Sequence, residues 1–203
     1  MWLPGSTWTP WTWADVAASY PCVMELDIRI FGDPVLRQRA REVDSFDDHL
    51  VRLADAMMTT MLDAPGVGLA APQVGVLKRL FTWAVADSQG AVVNPVIVDA
   101  SDDTLSDDEG CLSFPGLFYP VARPLTVTVA HQDLGGDDQR RSIDGFLARV
   151  FLHEIDHLNG VLFIDHLARH DRKDALARMR ALRSERGLDV EPRRGSLLGR
   201  LGR

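Results

Sequence analysis

The stretch HEIDHLNG, running from His153 to Gly160, sets two histidines four residues apart with a glutamate directly after the first. On an α-helix, residues i and i+4 share one face. Two imidazoles placed that way can hold one metal ion, with Glu154 beside the metal-bound water. A catalytic site of the zinc type takes three protein ligands and keeps one position open, so a third ligand must come from elsewhere. In sites that continue as HxxGxxH the last histidine is that ligand; here Gly160 fits, but the ligand position is Phe163. Other sites use a downstream glutamate. Only Glu185 and Glu191 qualify, and both lie in a basic stretch poorly suited to a buried ligand. Asp165 lies in an apolar stretch just past the helix. Cys111, within DDEGCLSFPG, is the better candidate, because a thiolate is a strong ligand for zinc or ferrous iron. Alone, such a cysteine would read as a small buried hydrophobe.

These residues need elements to position them. Ser142 or Asp144 can cap a helix over DGFLARVFLHEIDHLNG, and Gly160 stands where a glycine would end it. Phe146, Val150, His153 and His157 step along one face, with Leu147, Phe151 and Leu158 on an adjoining one, so this helix is expected to be buried on most sides. A second helix is predicted from Asp47 to Leu62, capped by Ser45 or Asp47. Its Leu50, Leu53, Ala54, Met57, Met58 and Met61 recur at helical spacing, which makes those methionines core filler. APGVGLAAPQVG then breaks the helix. Leu80–Ala86, Ala91–Val98 and Leu125–His131 read as strands, and the acidic stretch Asp99–Asp108 as a solvated loop. VLFIDHL reads as a short strand or extended segment, and Arg169–Arg186 returns to a helical pattern. There is no internal repeat.

Of 203 residues, 46% are hydrophobic and 25% charged, which suits one globular domain of about 160 residues plus appendages. The first 23 residues hold four of the five tryptophans with little periodicity, and are expected to form a poorly ordered extension. Met24 is a candidate alternative start. Residues 24–167 are expected to make the main domain, and 168–203 a basic C-terminal helix and tail. That tail has eleven Lys+Arg against five Asp+Glu, a balance of +6; with −7 for the whole chain, the rest carries −13. A basic tail on an acidic body can meet an anionic partner such as RNA. Two cysteines, Cys22 and Cys111, form no disulfide framework. No secretory signal is evident, so a reducing cytoplasm is expected. No apolar run approaches the roughly 20 residues of a membrane helix.

Three of these segments carry a family resemblance. GVGLAAPQVG (Gly66–Gly75), EGCLS (Glu109–Ser113) and HEIDH (His153–His157) resemble, in order, the three signature motifs of the peptide deformylases. RIFGDPVLRQRA is similar to that family's N-terminal segment, and the resemblance extends from about Met24 to Leu167. It implies an α+β fold, with antiparallel β-sheets wrapped around a central helix bearing HExxH, and a C-terminal helix. It implies Cys111, His153 and His157 as metal ligands and Glu154 as general acid/base. Gln73 and the Leu112 backbone N–H would hold the formyl oxygen, and Gly68 would sit in the loop lining the cleft. The cofactor implied is one divalent ion per chain, usually Fe²⁺, with Zn²⁺ or Ni²⁺ able to take its place. The substrate implied is the formyl-methionine of nascent peptides, cleaved to release formate.

The residues themselves suit that chemistry. Gly66, Gly68, Ala70 and Ala71 let backbone approach a ligand closely, so an extended peptide could pair there as an added strand. Val67, Phe146 and Val150 are candidate walls for the methionine pocket, or ordinary core. Asp156, between the histidines, needs a partner if buried, and Arg123 is the candidate. Phe118 stands at the cleft edge, where some relatives carry a basic residue. Two other readings compete: a metallopeptidase with a downstream carboxylate ligand, and a ribosome- or RNA-binding protein that uses the tail. Tail contact with the ribosome is also expected as a second role of the enzyme. No membrane and no specific DNA partner is expected.

Overall fold

The structure, a computed structural model, describes residues 26–187. The N-terminal extension, Met24, Cys22 and the end of the basic tail lie outside the described residues. Helix α1 (Asp48–Asp63) starts where Asp47 accepts the N–H groups of His49 and Leu50, a side-chain cap that satisfies two of the four otherwise unpaired first-turn donors. Its buried stripe is Leu50, Ala54, Met57, Met58 and Met61, as the spacing predicted. Helix α2 (Gly145–Leu158) carries His153, Glu154 and His157. It ends at Gly160, whose φ of +74° is a left-handed conformation open to glycine. A Cβ there would lie 2.7 Å from the Arg37 carbonyl oxygen. The buried Arg79 guanidinium reaches the same end of α2, donating to Asn159 Oδ1 at 2.9 Å and to the Leu158 carbonyl at 3.4 Å. A cation at a helix C-terminus meets the negative end of the macrodipole. Helix α3 (Arg169–Glu185) follows the basic pattern and buries Ala175 and Met179.

Among the described residues, seven strands make two antiparallel sheets. β1 (Gly68–Ala70), β2 (Leu80–Val85), β3 (Ser88–Ala100), β6 (Thr126–Gln132) and β7 (Asp138–Asp144) lie in the order β1-β2-β3-β6-β7. β4 (Thr104–Gly110) pairs with β5 (Phe118–Pro124) in a separate two-stranded sheet. Against the five-stranded sheet, α2 packs Ala148, Phe151, Ile155 and Leu158 onto Phe81, Trp83, Val92, Val127 and Val129. The Phe151 ring meets Phe81 edge-on, 5.0 Å between centroids. Helix α1 covers a second cluster with Leu69, Leu80 and Val93. A third joins β5 to α3 through Phe114, Tyr119, Val121, Phe163 and Met179. The α+β architecture, with antiparallel sheets and three helices, agrees with expectation.

Three local readings are corrected. Asp99–Asp108 is not a loop: β3 runs to Ala100, β4 starts at Thr104, and only residues 101–103 intervene. The acidic side chains stay in water while the backbone pairs, Thr104 opposite Pro124 through Gly110 opposite Phe118. VLFIDHL forms a single 3₁₀ turn, Phe163–Asp165, because the Asp165 carboxylate accepts the Leu162 N–H at 3.0 Å. Ser142 caps nothing; it lies within β7, and Asp144 precedes α2 without a side-chain cap bond.

Candidate active site

Cys111 follows the last residue of β4, and α2 brings up the two histidines from the other side. One ligand atom from each of Cys111, His153 and His157 lies within 4.8 Å of the other two, the one such group of three among the described residues. Cys111 Sγ is 3.2 Å from His157 Nε2. Both imidazoles are buried. A thiolate and two imidazoles suit zinc or ferrous iron, and the Glu154 Oε2 atom is buried there with no protein partner. The donor set therefore fits a divalent ion. Asp165 does not join it, being bound to Arg37, Arg172 and the Leu162 N–H.

Glu154 is 3% exposed, and burial, reinforced by the nearby Glu109 charge, pushes its carboxyl up to about 7 against the pull of His153. Gly68 is the reason the carboxylate can sit so close to β1: a Cβ at Gly68 would overlap it. Gln73 is held in one orientation. Its Oε1 accepts the Ala70 N–H at 2.8 Å, which leaves the amide NH₂ directed at Ser113 Oγ, 3.3 Å, and Cys111 Sγ, 3.6 Å. The Leu112 N–H donates to no protein acceptor among the described residues. A cleft of about 700 Å³ opens over these groups. Val67, Phe146 and Val150 all line it, joined by Ile28, Ile30 and Phe118.

This arrangement recurs in proteins already known. A sequence model of the family described as polypeptide deformylase matches residues 25–173. The chain belongs to the polypeptide deformylase family. The peptide deformylase of Thermotoga neapolitana is 49% identical over 140 residues, 69% of this chain and 85% of that one. Among solved structures, the Synechococcus elongatus peptide deformylase in complex with actinonin superposes with a TM-score of 0.73 at 42% identity, covering 75% of this chain and 86% of that one. The Thermotoga maritima enzyme gives 0.70 at 45% identity over 71% and 99%.

In this deformylase-family chain two residues that brace the cluster, Glu109 and Arg149, escaped the sequence reading. Glu109 Oε1 lies 2.6 Å from His153 Nδ1, which turns the other ring nitrogen, Nε2, toward the cluster. A carboxylate behind a ligating histidine sets its tautomer and orientation. Glu109 is in turn gripped by Arg123, at 3.0 and 2.7 Å, and by Arg149 at 3.2 Å. Arg123 also reaches Asp156 at 2.7 Å, the ion pair expected from the sequence, and Asp156 meets His166 at 2.8 Å. Burial works to raise the Glu109 carboxyl, but the bonds from His153 and Arg123 outweigh it and hold the group well below the usual carboxylate range. Burial is also the largest influence on both histidines. At His157 it prevails and holds the ring well below its ordinary value. At His153 the Cys111 sulfur and Glu109 outweigh it and hold the ring well above.

Proposed function

We propose that this chain removes the N-formyl group from the formyl-methionine of newly made polypeptides, releasing formate. One divalent ion would be held by Cys111, His153 and His157, with Fe²⁺ the favoured native ion and Zn²⁺ or Ni²⁺ able to fill the same donor set. Bound there, the ion supplies Lewis acidity to the attacking water and the formyl group. The chain's own residues do the rest. Glu154 takes the proton that the attacking water loses and returns it to the departing amine nitrogen. The water oxygen joins the formyl carbon, the C–N bond breaks, and formate and a free N-terminal amine leave. As the formyl oxygen gains negative charge, Gln73 Nε2 and the Leu112 N–H donate to it. Loss of one such donor typically costs about 2.7–4 kcal/mol. Gly68 keeps β1 low enough for Glu154 to reach the scissile nitrogen.

The observation that carries this reading is the fixed Gln73 amide, aimed at Cys111 beside a buried, unpartnered Glu154 carboxylate oxygen. A site that only binds metal needs neither. The test is formate release from a formyl-Met-Ala-Ser peptide by protein purified anaerobically with Fe²⁺, run beside Glu154→Ala and Cys111→Ser. Activity in the unmodified protein alone is expected. No formate from protein that holds one metal per chain would overturn the assignment. Function in the cytoplasm, at the ribosome, follows from the substrate. The exposed cations of α3, such as Lys173 and Arg180, would supply a contact with ribosomal RNA through its phosphates. Reversing both charges should weaken ribosome co-sedimentation and leave formate release from the free peptide intact; unchanged co-sedimentation would remove α3 from that role.

A further inference from the structure

The first described residues run along the cleft. Ile28 and Ile30 line it, while Asp27 and Arg29, which alternate with them, are exposed; that is the alternation of an extended chain. The backbone of this segment is tied to both oxyanion donors. The Arg29 N–H donates to the Gln73 carbonyl at 2.7 Å, and the Phe31 N–H to the Ser113 carbonyl at 2.9 Å. In extended chain, N–H groups two residues apart leave from the same edge, roughly 6.6 Å from each other. Gln73 belongs to the 3₁₀ turn Ala71–Val74. Ser113 belongs to a turn closed by the Phe114 N–H to Cys111 carbonyl bond at 2.8 Å, and the Leu112 N–H stands inside that turn. Residues 29–31 therefore hold one carbonyl of each donor-bearing turn. From α3, Arg183 donates to the Phe31 carbonyl at 2.8 Å, which grips the segment from a third element. The two turns also meet directly, through Gln73 Nε2 and Ser113 Oγ at 3.3 Å. That contact draws on the same NH₂ that serves the formyl oxygen, so it is the weaker gauge of their separation.

We infer that Arg29 and Phe31 are positioning residues: their N–H groups, set on one short segment, fix the distance between the Gln73 amide and the Leu112 N–H so that both converge on one formyl oxygen. Misplacing a catalytic group by about 1 Å can cost roughly 10²-fold in rate. These donors act as charge grows on the oxygen, so the penalty falls on kcat and not on KM. The inference rests on the deformylase reading, and the experiment separates the two.

Phe31→Pro deletes one of the two N–H groups, and proline is at home in extended chain. Formate release from formyl-Met-Ala-Ser, corrected for metal content, should fall roughly tenfold or more in kcat with KM little changed. Phe31→Leu, which keeps the N–H, should exceed Phe31→Pro by a similar factor. Asp27→Pro puts the same ring where the N–H donates to no acceptor among the described residues, and should turn over peptide like the unmodified protein. Arg29→Pro repeats the test from the Gln73 side should Phe31→Pro not fold. Equal kcat in Phe31→Pro and Phe31→Leu, or an equal loss in Asp27→Pro, overturns the inference. Amide hydrogen exchange gives a reading that needs no activity. The Phe114 amide should exchange faster in Phe31→Pro, and the Ala70 amide, bound to Gln73 Oε1, faster in Arg29→Pro. Unchanged exchange at both sinks the inference. No formate from unmodified, metal-loaded protein would fail the deformylase reading, and exchange alone would then decide whether this segment sets the two turns.

Discussion

Replacing Arg123 with leucine tests how the ligand helix is held to the β4–β5 pair. Arg123 and Glu109 are 5% and 4% exposed, and two hydrogen bonds of 3.0 and 2.7 Å join them in a fork. A third, of 2.7 Å, ties the same guanidinium to Asp156 on α2. Removing one partner of a buried pair typically costs about 3–5 kcal/mol, because the other charge stays buried. Two observations set where in that range this case falls. Glu109 keeps Arg149, at 3.2 Å, and His153. The Asp156 side chain is 20% exposed and keeps His166, so its share is closer to that of a surface pair, below about 1 kcal/mol. The expected loss is therefore about 3 kcal/mol, at the low end, or a drop in Tm of roughly 6–12 °C for a chain of this size. Urea unfolding of the metal-free protein reads it without interference from metal affinity. Arg123→Leu combined with Glu109→Leu removes the stranded carboxylate and should recover part of the loss. A single-variant loss below about 1 kcal/mol, or a double variant as unstable as the sum of its parts, would refute the reasoning.

Glu154→Gln should lower kcat by about 10²–10⁴-fold with metal content, read by elemental analysis, unchanged; loss of metal instead would make Glu154 a ligand. Gly68→Ala should fold and bind metal but release formate at least roughly tenfold more slowly, since small displacements of a catalytic group carry penalties of that order. Full activity in that variant would contradict the close approach of β1 to Glu154. Chelation should abolish formate release, and restoring Fe²⁺ or Ni²⁺ should return it to the unmodified protein but not to Cys111→Ala. Activity that survives complete metal removal, checked by elemental analysis, would defeat the metal-dependent scheme.

Much of the frame was legible because its signals are local. The N-cap of α1, the glycine end of α2 and the periodicity of both helices lie within a few turns of chain, and the pairing of Cys111 with HExxH follows from counting ligands. What escaped depends on distant partners. Glu109 borders the acidic run Asp99–Asp108 that reads as solvated, yet its partners are 14, 40 and 44 residues away. Arg149 did leave a signal, a lone cation beside Val150 and Phe151 on a helix expected to be buried. A helix with that pattern calls for a carboxylate nearby. β7 was invisible because only Ile143 of DQRRSID is buried: an edge strand wetted on its outer side does not alternate. β5 was hidden by its prolines, Pro120 and Pro124, which a strand with one unpaired edge accommodates.

The β4–β5 connection has a consequence for where this chain can change length. Glu109, Cys111 and the Leu112 N–H fall within four consecutive residues, which run from the last two rungs of a ladder into a loop pinned by the Phe31 N–H to Ser113 carbonyl bond at 2.9 Å. One residue added to β4 just before Glu109 would turn the following strand side chains to the opposite face, so Glu109, Cys111 and the Leu112 N–H would be displaced in a single event. At the far end of the same ladder, residues 101–103 form a short link from β3, exposed at Asp102 and Asp103, that touches none of them. Insertions should accumulate at that end across natural variants, and almost never at the other. Side-chain exchange is a different matter: Phe118, 64% exposed, can be replaced without disturbing the pairing of the strands.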